Sequence, residues 1–239
     1  MKIFNQIILT TCFSFLIINY SEAQNNYMDN ALNYSRLIVQ KTEAGVYKQI
    51  GVFKVVGTSY LFGEKNKGNL FSAEAKAYNI FLSYNTYNQE VEFYSSGNPD
   101  KPLVKEPGTV DSFLIQENVA LGINHPLKFV YGTPIGSSEK FYYLEIYAGR
   151  QYSVYKRYKS DLGYVSTNYV QSELRQFDLL YDYYYTDSAK GGLKKLKANS
   201  SSIIKELKSI KDISPVFTNE GFTMDQEEAL RVAFEYLNK

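Results

Sequence analysis

His125, the single histidine of this chain, is the residue on which a catalytic triad would have to be built. Such a triad uses the imidazole as general base, and its serine often lies in a Gly-x-Ser-x-Gly turn. The segment Gly57–Leu61 contains the serine but ends in leucine where that turn requires glycine. His125 directly precedes Pro126, which is typical of loops. We therefore predict that His125 is a loop residue, and we assign no catalytic residue.

Histidine and cysteine, the usual zinc ligands, are scarce in the sequence. Zinc sites are built mainly from histidine and cysteine, and the chain has one of each, His125 and Cys12. Calcium sites use oxygen ligands, but Asp178, Asp182 and Asp187 lack the spacing of a calcium-binding loop. These aspartates are interleaved with tyrosines, which favours solvated carboxylates on a strand. We predict no metal site and no cofactor.

The glycine-bounded segment Gly63–Gly68 has the outline of a phosphate-binding loop. A loop of that kind continues with Lys and then Ser or Thr, whereas this chain has Asn69 and Leu70. We therefore predict an ordinary loop between strands. A carboxylate pair for glycoside hydrolysis depends on spatial separation, so the 25 acidic residues carry no specific signal. The sequence thus favours a non-enzymatic protein.

Tyrosine is the aromatic residue that could form a binding surface, since the chain has 23 tyrosines and no tryptophan. Tyr143, Tyr147 and Tyr155 are expected on the less buried face of a hairpin. An exposed aromatic face can stack on sugar rings or contact another protein. The alternative is that the C-terminal helices cover this face. We take these three tyrosines as candidate binding residues.

Residues 1–23 have the organisation of a signal peptide. Lys2 gives the positive start, Ile7–Ile18 is the apolar core, and Ser21–Ala23 ends in a small residue. The apolar run is shorter than the roughly 20 residues of a membrane-spanning helix. A retained anchor is the alternative. We expect cleavage after Ala23, so that the mature protein is exported to the periplasm, the outer membrane or the outside of the cell.

The mature chain would contain no cysteine, because cleavage removes Cys12. It could therefore form no disulfide. Basic and acidic residues nearly balance, with 26 against 25 in the full sequence. A balanced charge gives no general attraction to nucleic acid or to anionic membranes. We expect no nucleic-acid partner and no transmembrane span after cleavage.

Apolar residues alternate with a period of two from Tyr47 to about Tyr185, which predicts β-strands. The clearest hairpin joins Phe141–Ala148 to Tyr152–Lys159, with Leu144 and Ile146 on its buried face. Further strands are predicted at Ala77–Tyr84, Val110–Ile115, Leu127–Tyr131 and Phe177–Tyr185, with turns at Asn85–Asn88 and Gly97–Asp100.

Helical periodicity is confined to the two ends of the chain. Residues 27–41 favour a short helix, although Leu37–Val39 would also suit a strand. The segment 190–239 is predicted to be helical, with a first helix capped by Ser200 or Ser201.

The final helix is predicted to begin at a capping box of Thr223 and Gln226. Strands followed by helices predict a mainly β, α+β fold: an antiparallel sheet or sandwich of about eight to ten strands with the C-terminal helices packed on it. No Pro-, Gly- or Ser-rich linker divides the chain, so residues 24–239 are expected to form a single domain.

The segments Gly57–Leu61, Tyr84-Asn85 and Glu90–Phe93 resemble an uncharacterised family of exported, β-rich proteins from Bacteroidota. The C-terminal part is similar as well, with a Lys-rich segment at Leu193–Lys197 and a last helix ending Glu235–Asn238. The resemblance implies an envelope location and a β-rich fold, and it brings no functional residues. We therefore expect an exported envelope protein that binds another protein. The alternative is a glycan-binding β module that uses surface tyrosines.

Overall fold

The computed structural model describes residues 35–42, 44–95, 97–105, 108–165 and 174–239. The predicted signal peptide and the first part of the predicted 27–41 helix lie outside these ranges. The described end of that helix, Ser35–Lys41, is instead strand β1. The helix prediction is therefore wrong here and the strand alternative is right. Ile38 and Val39 favour extended backbone because their branched side chains fit a pleated surface.

Contacts within the chain divide it into two compact units. The first unit contains residues to Gly57 together with Leu162–Phe177. In it, β1 pairs with β2 (Tyr47–Val56) as an antiparallel hairpin. Leu174–Gln176 pairs in parallel with Lys54–Val56. The single domain predicted for residues 24–239 stays a prediction.

The second unit, Thr58–Asp161 with Asp178–Lys239, contains most of a large, mostly antiparallel sheet. Its strands run in the order β12-β11-β10-β9-β8-β7-β3-β4-β5-β6. With β1 and β2, the described residues form twelve strands, more than the eight to ten predicted. Apart from β1 and β2, the strands are β3 (Tyr60–Phe71), β4 (Lys76–Asn85), β5 (Glu90–Ser95), β6 (Asn98–Val104), β7 (Ser112–Ile115), β8 (Leu127–Tyr131), β9 (Tyr142–Tyr147), β10 (Tyr152–Tyr164), β11 (Leu174–Asp187) and β12 (Leu193–Leu196). The last residues of β10 and the first residues of β11 are assigned to the first unit.

Both predicted hairpins, β4–β5 and β9–β10, are confirmed. Two predictions about irregular or helical segments are wrong in part. The turn expected at Gly97–Asp100 is confirmed at Gly97 and is wrong from Asn98 onward, where β6 already pairs with β5. The segment expected to be helical from residue 190 first forms β12. Gly191 and Gly192 both have positive φ, which lets the chain turn back and pair with β11.

Three α-helices follow β12, and they confirm the predicted C-terminal helical layer. They are α1 (Ser200–Leu207), α2 (Asn219–Met224) and α3 (Gln226–Leu237). Their buried residues form the helix core with one face of the sheet. The helix core includes Ile203, Leu207, Leu230 and Phe234 of the helices and Val154, Tyr183 and Tyr185 of the strands.

The helix caps differ from the predicted ones. Asn199, rather than Ser200 or Ser201, is the last extended residue before α1, and its side chain accepts the hydrogen bond from Ser202 N. Thr223 lies inside α2 and donates to a carbonyl one turn earlier, so it cannot cap α3. Asp225 caps α3 by accepting a hydrogen bond from Glu228 N at 3.0 Å.

Two further clusters complete the second unit. The sheet core contains Tyr84, Phe113, Phe129, Tyr142 and Leu144, with the rings of Phe113 and Phe129 stacked at 4.7 Å. The tyrosine cluster contains Tyr143, Tyr155 and Tyr184. Aromatic pairs of this kind contribute about 0.5–1.5 kcal/mol beyond the burial of their area.

Asn238, near the end of the chain, joins α3 to the turn between β9 and β10. Its Oδ1 accepts hydrogen bonds from the backbone N–H groups of Gln151 at 2.9 Å and Tyr152 at 3.1 Å. Its Nδ2 donates to the carbonyl oxygens of Tyr152 and Phe234. One side chain thus satisfies backbone groups of both elements and fixes the end of α3 against the sheet.

Candidate functional site

Two of the three tyrosines predicted to form an exposed surface are buried. Tyr143 is 0% exposed and Tyr155 is 5% exposed. The Tyr143 hydroxyl lies 3.0 Å from Ser137 Oγ, and its ring meets that of Tyr184 edge-on at 5.5 Å. The prediction of an exposed face is therefore wrong for this pair. The residues packed against the cluster are not helical: they are the half-buried Val130, Ile135, Phe141 and Leu193.

Tyr147, the third predicted residue, is half-buried and packs against the helix core. The β9–β10 register shifts between Val154 and Tyr155, so that Tyr147 pairs with Val154 while Tyr155 pairs with Glu145. Because paired residues point to the same side of a sheet, the shift places Tyr147 on the helix side. The three tyrosines therefore do not form one surface.

The second unit contains a cleft of about 520 Å³ between the sheet, the His125 loop and the start of α3. Ligand pockets commonly have volumes of about 300–1,000 Å³. Its floor is apolar and aromatic and comprises Phe62, Leu127, Leu144, Ile146 and Tyr158. We take this cleft as the candidate functional site.

A wide bulge in β3 brings Phe62 to the floor of the cleft. Leu61 pairs with Tyr84 and Asn66 pairs with Leu82, so four β3 residues lie opposite Ser83 alone. Phe62 has φ of 58°, which is unusual for a residue with a side chain. Bulges of this kind redirect side chains.

The prediction that Gly63–Gly68 is a loop between strands is wrong. These residues belong to β3 rather than to a loop between strands. Their departure from strand geometry is local: Lys65 N donates to Ser83 Oγ at 3.1 Å, and Asn66 Nδ2 donates to Gly63 O at 3.0 Å. Gly63, with φ of 77°, lies in the bulge, and Gly68 is a paired strand residue, so the segment does not form a phosphate-binding loop.

The loop that carries His125 forms another wall of the cleft. A bridge between Asn118 and Ile123 closes a short 3-10 turn, and His125 follows as an exposed residue outside helix and strand. The loop prediction for His125 is confirmed. In the turn, Val119 is 80% exposed and Leu121 is 45% exposed. Apolar side chains thus face solvent directly beside the cleft.

The first turn of α3 supplies the charged wall. Asp225, Glu227, Glu228 and Arg231 all line the cleft. Glu228 accepts two hydrogen bonds from Arg231, at 2.6 Å from Nε and 2.5 Å from Nη2. These bonds hold the pKa of Glu228 below its usual range. Glu228 is therefore ionised and engaged by its own helix.

Glu227 is held by a buried lysine. Lys156 Nζ lies 2.7 Å from Glu227 Oε1, and the ammonium is close to three tyrosine rings. The ring centroids of Tyr181, Tyr158 and Tyr183 lie 4.3, 4.7 and 5.7 Å away. Such cation–π contacts stabilise a desolvated ammonium.

The rings around Lys156 are themselves fixed. Gln226 Oε1 accepts hydrogen bonds from the hydroxyls of Tyr181 and Tyr183, at 3.0 and 2.9 Å. Burial, with the charge of Glu227 added, raises the pKa of Tyr158, so this hydroxyl stays protonated. The arrangement therefore orients Glu227 at the wall and leaves its Oε2 without a hydrogen bond to any described residue.

Sequence reasoning missed both Lys156 and Glu227. A signal for Lys156 was present: it alternates with Val154 and Tyr158 along β10, at a position where the pattern expects an apolar residue. A lysine at such a position needs a charged or aromatic partner. Glu227 had no comparable signal because acidic residues are common in the first turn of any helix.

The described residues contain no group of three or more His, Cys, Asp and Glu side chains arranged to hold a metal ion. Within the same ranges, no helix has the length and apolar character needed to cross a membrane. The chain matches no protein-family model, no curated protein and no solved structure. The interpretation of the cleft therefore depends on its own geometry.

Proposed function

We propose that this protein is a non-enzymatic component of the cell envelope that binds another protein through the cleft. The observation that carries the proposal is an apolar cleft floor with solvent-exposed apolar side chains next to it. In the sequence, the exposed Val119 and Leu121 come just before Gly122, where the loop wall of the cleft begins. The exposed Met224 comes just before Asp225, where the α3 wall begins. Burial of such side chains on association is favourable by about 25 cal/mol per Å².

The charged groups at the cleft fit the rim of a protein interface. Lys128 and Glu145 form one ion pair at 3.1 Å, and Glu228 and Arg231 form another. Interfaces of this kind have an apolar centre and a polar border. Paired charges at the border exclude water from the centre without needing to be desolvated fully.

Export supports an envelope role, and the support for export comes from the sequence. The positive Lys2, the apolar Ile7–Ile18 and the small residue Ala23 follow the order of a cleavable signal. The resemblance to exported proteins from Bacteroidota agrees with this location. The partner is accordingly an envelope protein.

Photo-cross-linking in intact cells tests the proposal. A photoreactive amino acid replaces Leu121 in one variant and Phe81 in the control. Phe81 is similarly exposed, on β4, and does not line the cleft. We expect Leu121, but not Phe81, to cross-link one envelope protein, identified by mass spectrometry. The absence of any protein adduct at Leu121 would reject the proposal, as would hydrolase activity lost on a single carboxylate or serine substitution.

A glycan-binding module is the second candidate function, and the aromatic side chains of Phe62 and Tyr158 in the cleft favour it. Sugar rings stack on aromatic faces. A panel of soluble oligosaccharides would detect such binding by calorimetry. Phe62→Ala should abolish it and Phe81→Ala should preserve it; equal binding by both variants would place any sugar site elsewhere.

A further inference from the structure

We infer that the cleft selects a basic segment of its partner: a lysine or arginine side chain enters against the α3 wall, with apolar residues on either side of it. This inference rests on the proposed function, because it names the chemistry of the partner at the same cleft. It has three supports: the charge balance of the lining, the hydrogen-bonding atoms left available there, and the apolar floor.

The lining of the cleft carries more negative than positive charge. Its four carboxylates are Glu145, Asp225, Glu227 and Glu228, whereas its lysine and arginine side chains are Lys128 and Arg231. Lys156, behind Glu227, still leaves one carboxylate in excess. The walls lower the local dielectric constant and strengthen this field. A cationic group is therefore attracted and an anionic group is repelled.

The positive end of the α3 dipole opposes this preference but does not reverse it. A helix N-terminus corresponds to roughly half a positive charge. Asp225 already caps this end, and Glu227 and Glu228 lie in the same first turn. The one carboxylate left in excess by the charge balance therefore exceeds the dipole of roughly half a charge, and the cleft keeps a small net negative charge.

The available atoms at this wall are acceptors. Glu227 Oε2 has no hydrogen bond to a described residue, and Asp225 uses only Oδ1, for the cap. Ammonium and guanidinium groups carry only donors, so they match this set. Glu227 is also pre-oriented, because Lys156 holds its other oxygen at 2.7 Å. A ligand therefore gains a charged hydrogen bond without ordering the glutamate itself.

The floor fits the remainder of a basic side chain. Lysine and arginine have apolar stems that lie along apolar surface while their charged ends reach polar groups. The half-buried Ile146 provides such a surface next to the α3 wall. Apolar neighbours of the inserted residue would then contact the exposed Leu121 and Met224.

Three fluorescein-labelled heptapeptides test the inference by fluorescence anisotropy. They have the sequence Gly-Leu-X-Ala-X-Leu-Gly, with X as lysine, glutamine or glutamate. We expect the lysine peptide to bind about tenfold more tightly than the glutamine peptide, and the glutamate peptide to bind most weakly. The advantage of lysine should shrink with added salt, since the screening length falls from about 30 Å at 0.01 M to about 3 Å at 1 M.

Charge-matched variants locate the effect. Glu227→Gln and Asp225→Ser each remove one negative charge from the cleft, and serine keeps the capping ability of Asp225. Glu74→Gln removes one charge from the exposed turn between β3 and β4, outside the cleft. Both cleft variants should weaken the lysine peptide about tenfold, and Glu74→Gln should not. If Glu227→Gln fails to fold, the affinity of Asp225→Ser for the lysine peptide tests the inference by itself.

Several results would overturn the inference: equal binding of the lysine and glutamine peptides, equal weakening by Glu74→Gln, or binding of oligosaccharides in place of the lysine peptide. Its failure is distinguishable from failure of the proposed function. A protein adduct at Leu121 without preference for the lysine peptide leaves the protein-binding function intact and removes only the basic partner. If there is neither a protein adduct at Leu121 nor a preference for the lysine peptide, the proposed function and the inference are both rejected.

Discussion

Lys156 and Glu227 form an ion pair whose two partners differ in exposure. Nζ and Oε1 are 2.7 Å apart, but the lysine side chain is 10% exposed and that of the glutamate 33%. The group that stays behind therefore depends on which partner is removed. Without Glu227 a buried ammonium remains unpaired, whereas without Lys156 the carboxylate can still be hydrated.

We expect Glu227→Gln to destabilise the protein more than Lys156→Met does. The loss should be about 2–3 kcal/mol for Glu227→Gln and about 1 kcal/mol or less for Lys156→Met, measured by urea unfolding. Lys128→Met is the control, because Lys128 is half exposed and pairs with Glu145 at the surface. Equal losses from the two main variants would show that the difference in burial does not control this pair.

Leu144 should be a strong contributor to stability. It is 2% exposed, lies in the sheet core and also lines the cleft. We expect Leu144→Ala to lower the free energy of unfolding by about 2–5 kcal/mol, because it leaves a cavity. Val119→Ala, at an exposed site, should change it by less than about 0.5 kcal/mol. A loss below about 1 kcal/mol for Leu144→Ala would contradict its place in the core.

Tyr143 should act through packing rather than as a surface contact. Tyr143→Ala removes a fully buried ring that meets Tyr184, so we expect a loss of about 3–5 kcal/mol. Tyr143→Phe removes only the hydroxyl, with its interactions with Ser137 and Arg157, and should cost about 1 kcal/mol. Thermal unfolding distinguishes the two. If Tyr143→Ala were stable but lost ligand binding, the tyrosine cluster would be a binding surface after all.

Glu92 and Asp182 should influence stability with opposite dependence on pH. Burial raises the pKa of Glu92, and the hydrogen bond from Tyr60 offsets only part of that effect. Burial also opposes ionisation of Asp182, but hydrogen bonds from Lys195 and Arg157 outweigh it and lower the pKa of that carboxyl. Ionised Glu92 therefore destabilises the fold, and ionised Asp182 stabilises it.

The matched variants Glu92→Gln and Asp182→Asn test these signs. At neutral pH, Glu92→Gln should raise the free energy of unfolding, and the gain should disappear as the pH falls through the raised pKa of Glu92 toward about 4.3, the usual glutamate value. Asp182→Asn should lower it at neutral pH, with the loss vanishing as the pH falls through the depressed pKa. Urea unfolding across this range measures both. A gain from Asp182→Asn at neutral pH would contradict the assignment.

The elements that periodicity could predict are those with local signals. The β9–β10 hairpin follows from alternation on both sides of a short turn, and the apolar face of α3 follows from its period of three to four. The β3 bulge had no such signal, since it depends on Ser83 across the sheet meeting Lys65 N. Helix α2 extends to Met224 and thereby moves the cap of α3 from Thr223 to Asp225.

The cleft lay beyond sequence reasoning because its parts are distant along the chain. Lys156 and Glu227 are 71 positions apart, and Phe62 comes from a third element. Alternation can indicate that Lys156 points inward, but it cannot indicate which carboxylate meets it. The tyrosine prediction failed because it considered only the C-terminal helices as partners of this face. Tyr143, Tyr155 and Tyr184 are instead buried against one another and against half-buried residues of strands and short connections, such as Val130 and Ile135.

Because of their contacts with Asn238, two backbone amides can be used to detect whether α3 is docked on the sheet. The N–H groups of Gln151 and Tyr152 donate to its side chain, which belongs to an element more than 80 positions away. We expect their hydrogen–deuterium exchange to be slow only while the end of α3 is docked. If α3 detaches in a local opening that leaves β9 and β10 paired, these two amides exchange early while their neighbours in the ladder stay protected. The pair thus reports, residue by residue, whether the helical layer opens before the sheet.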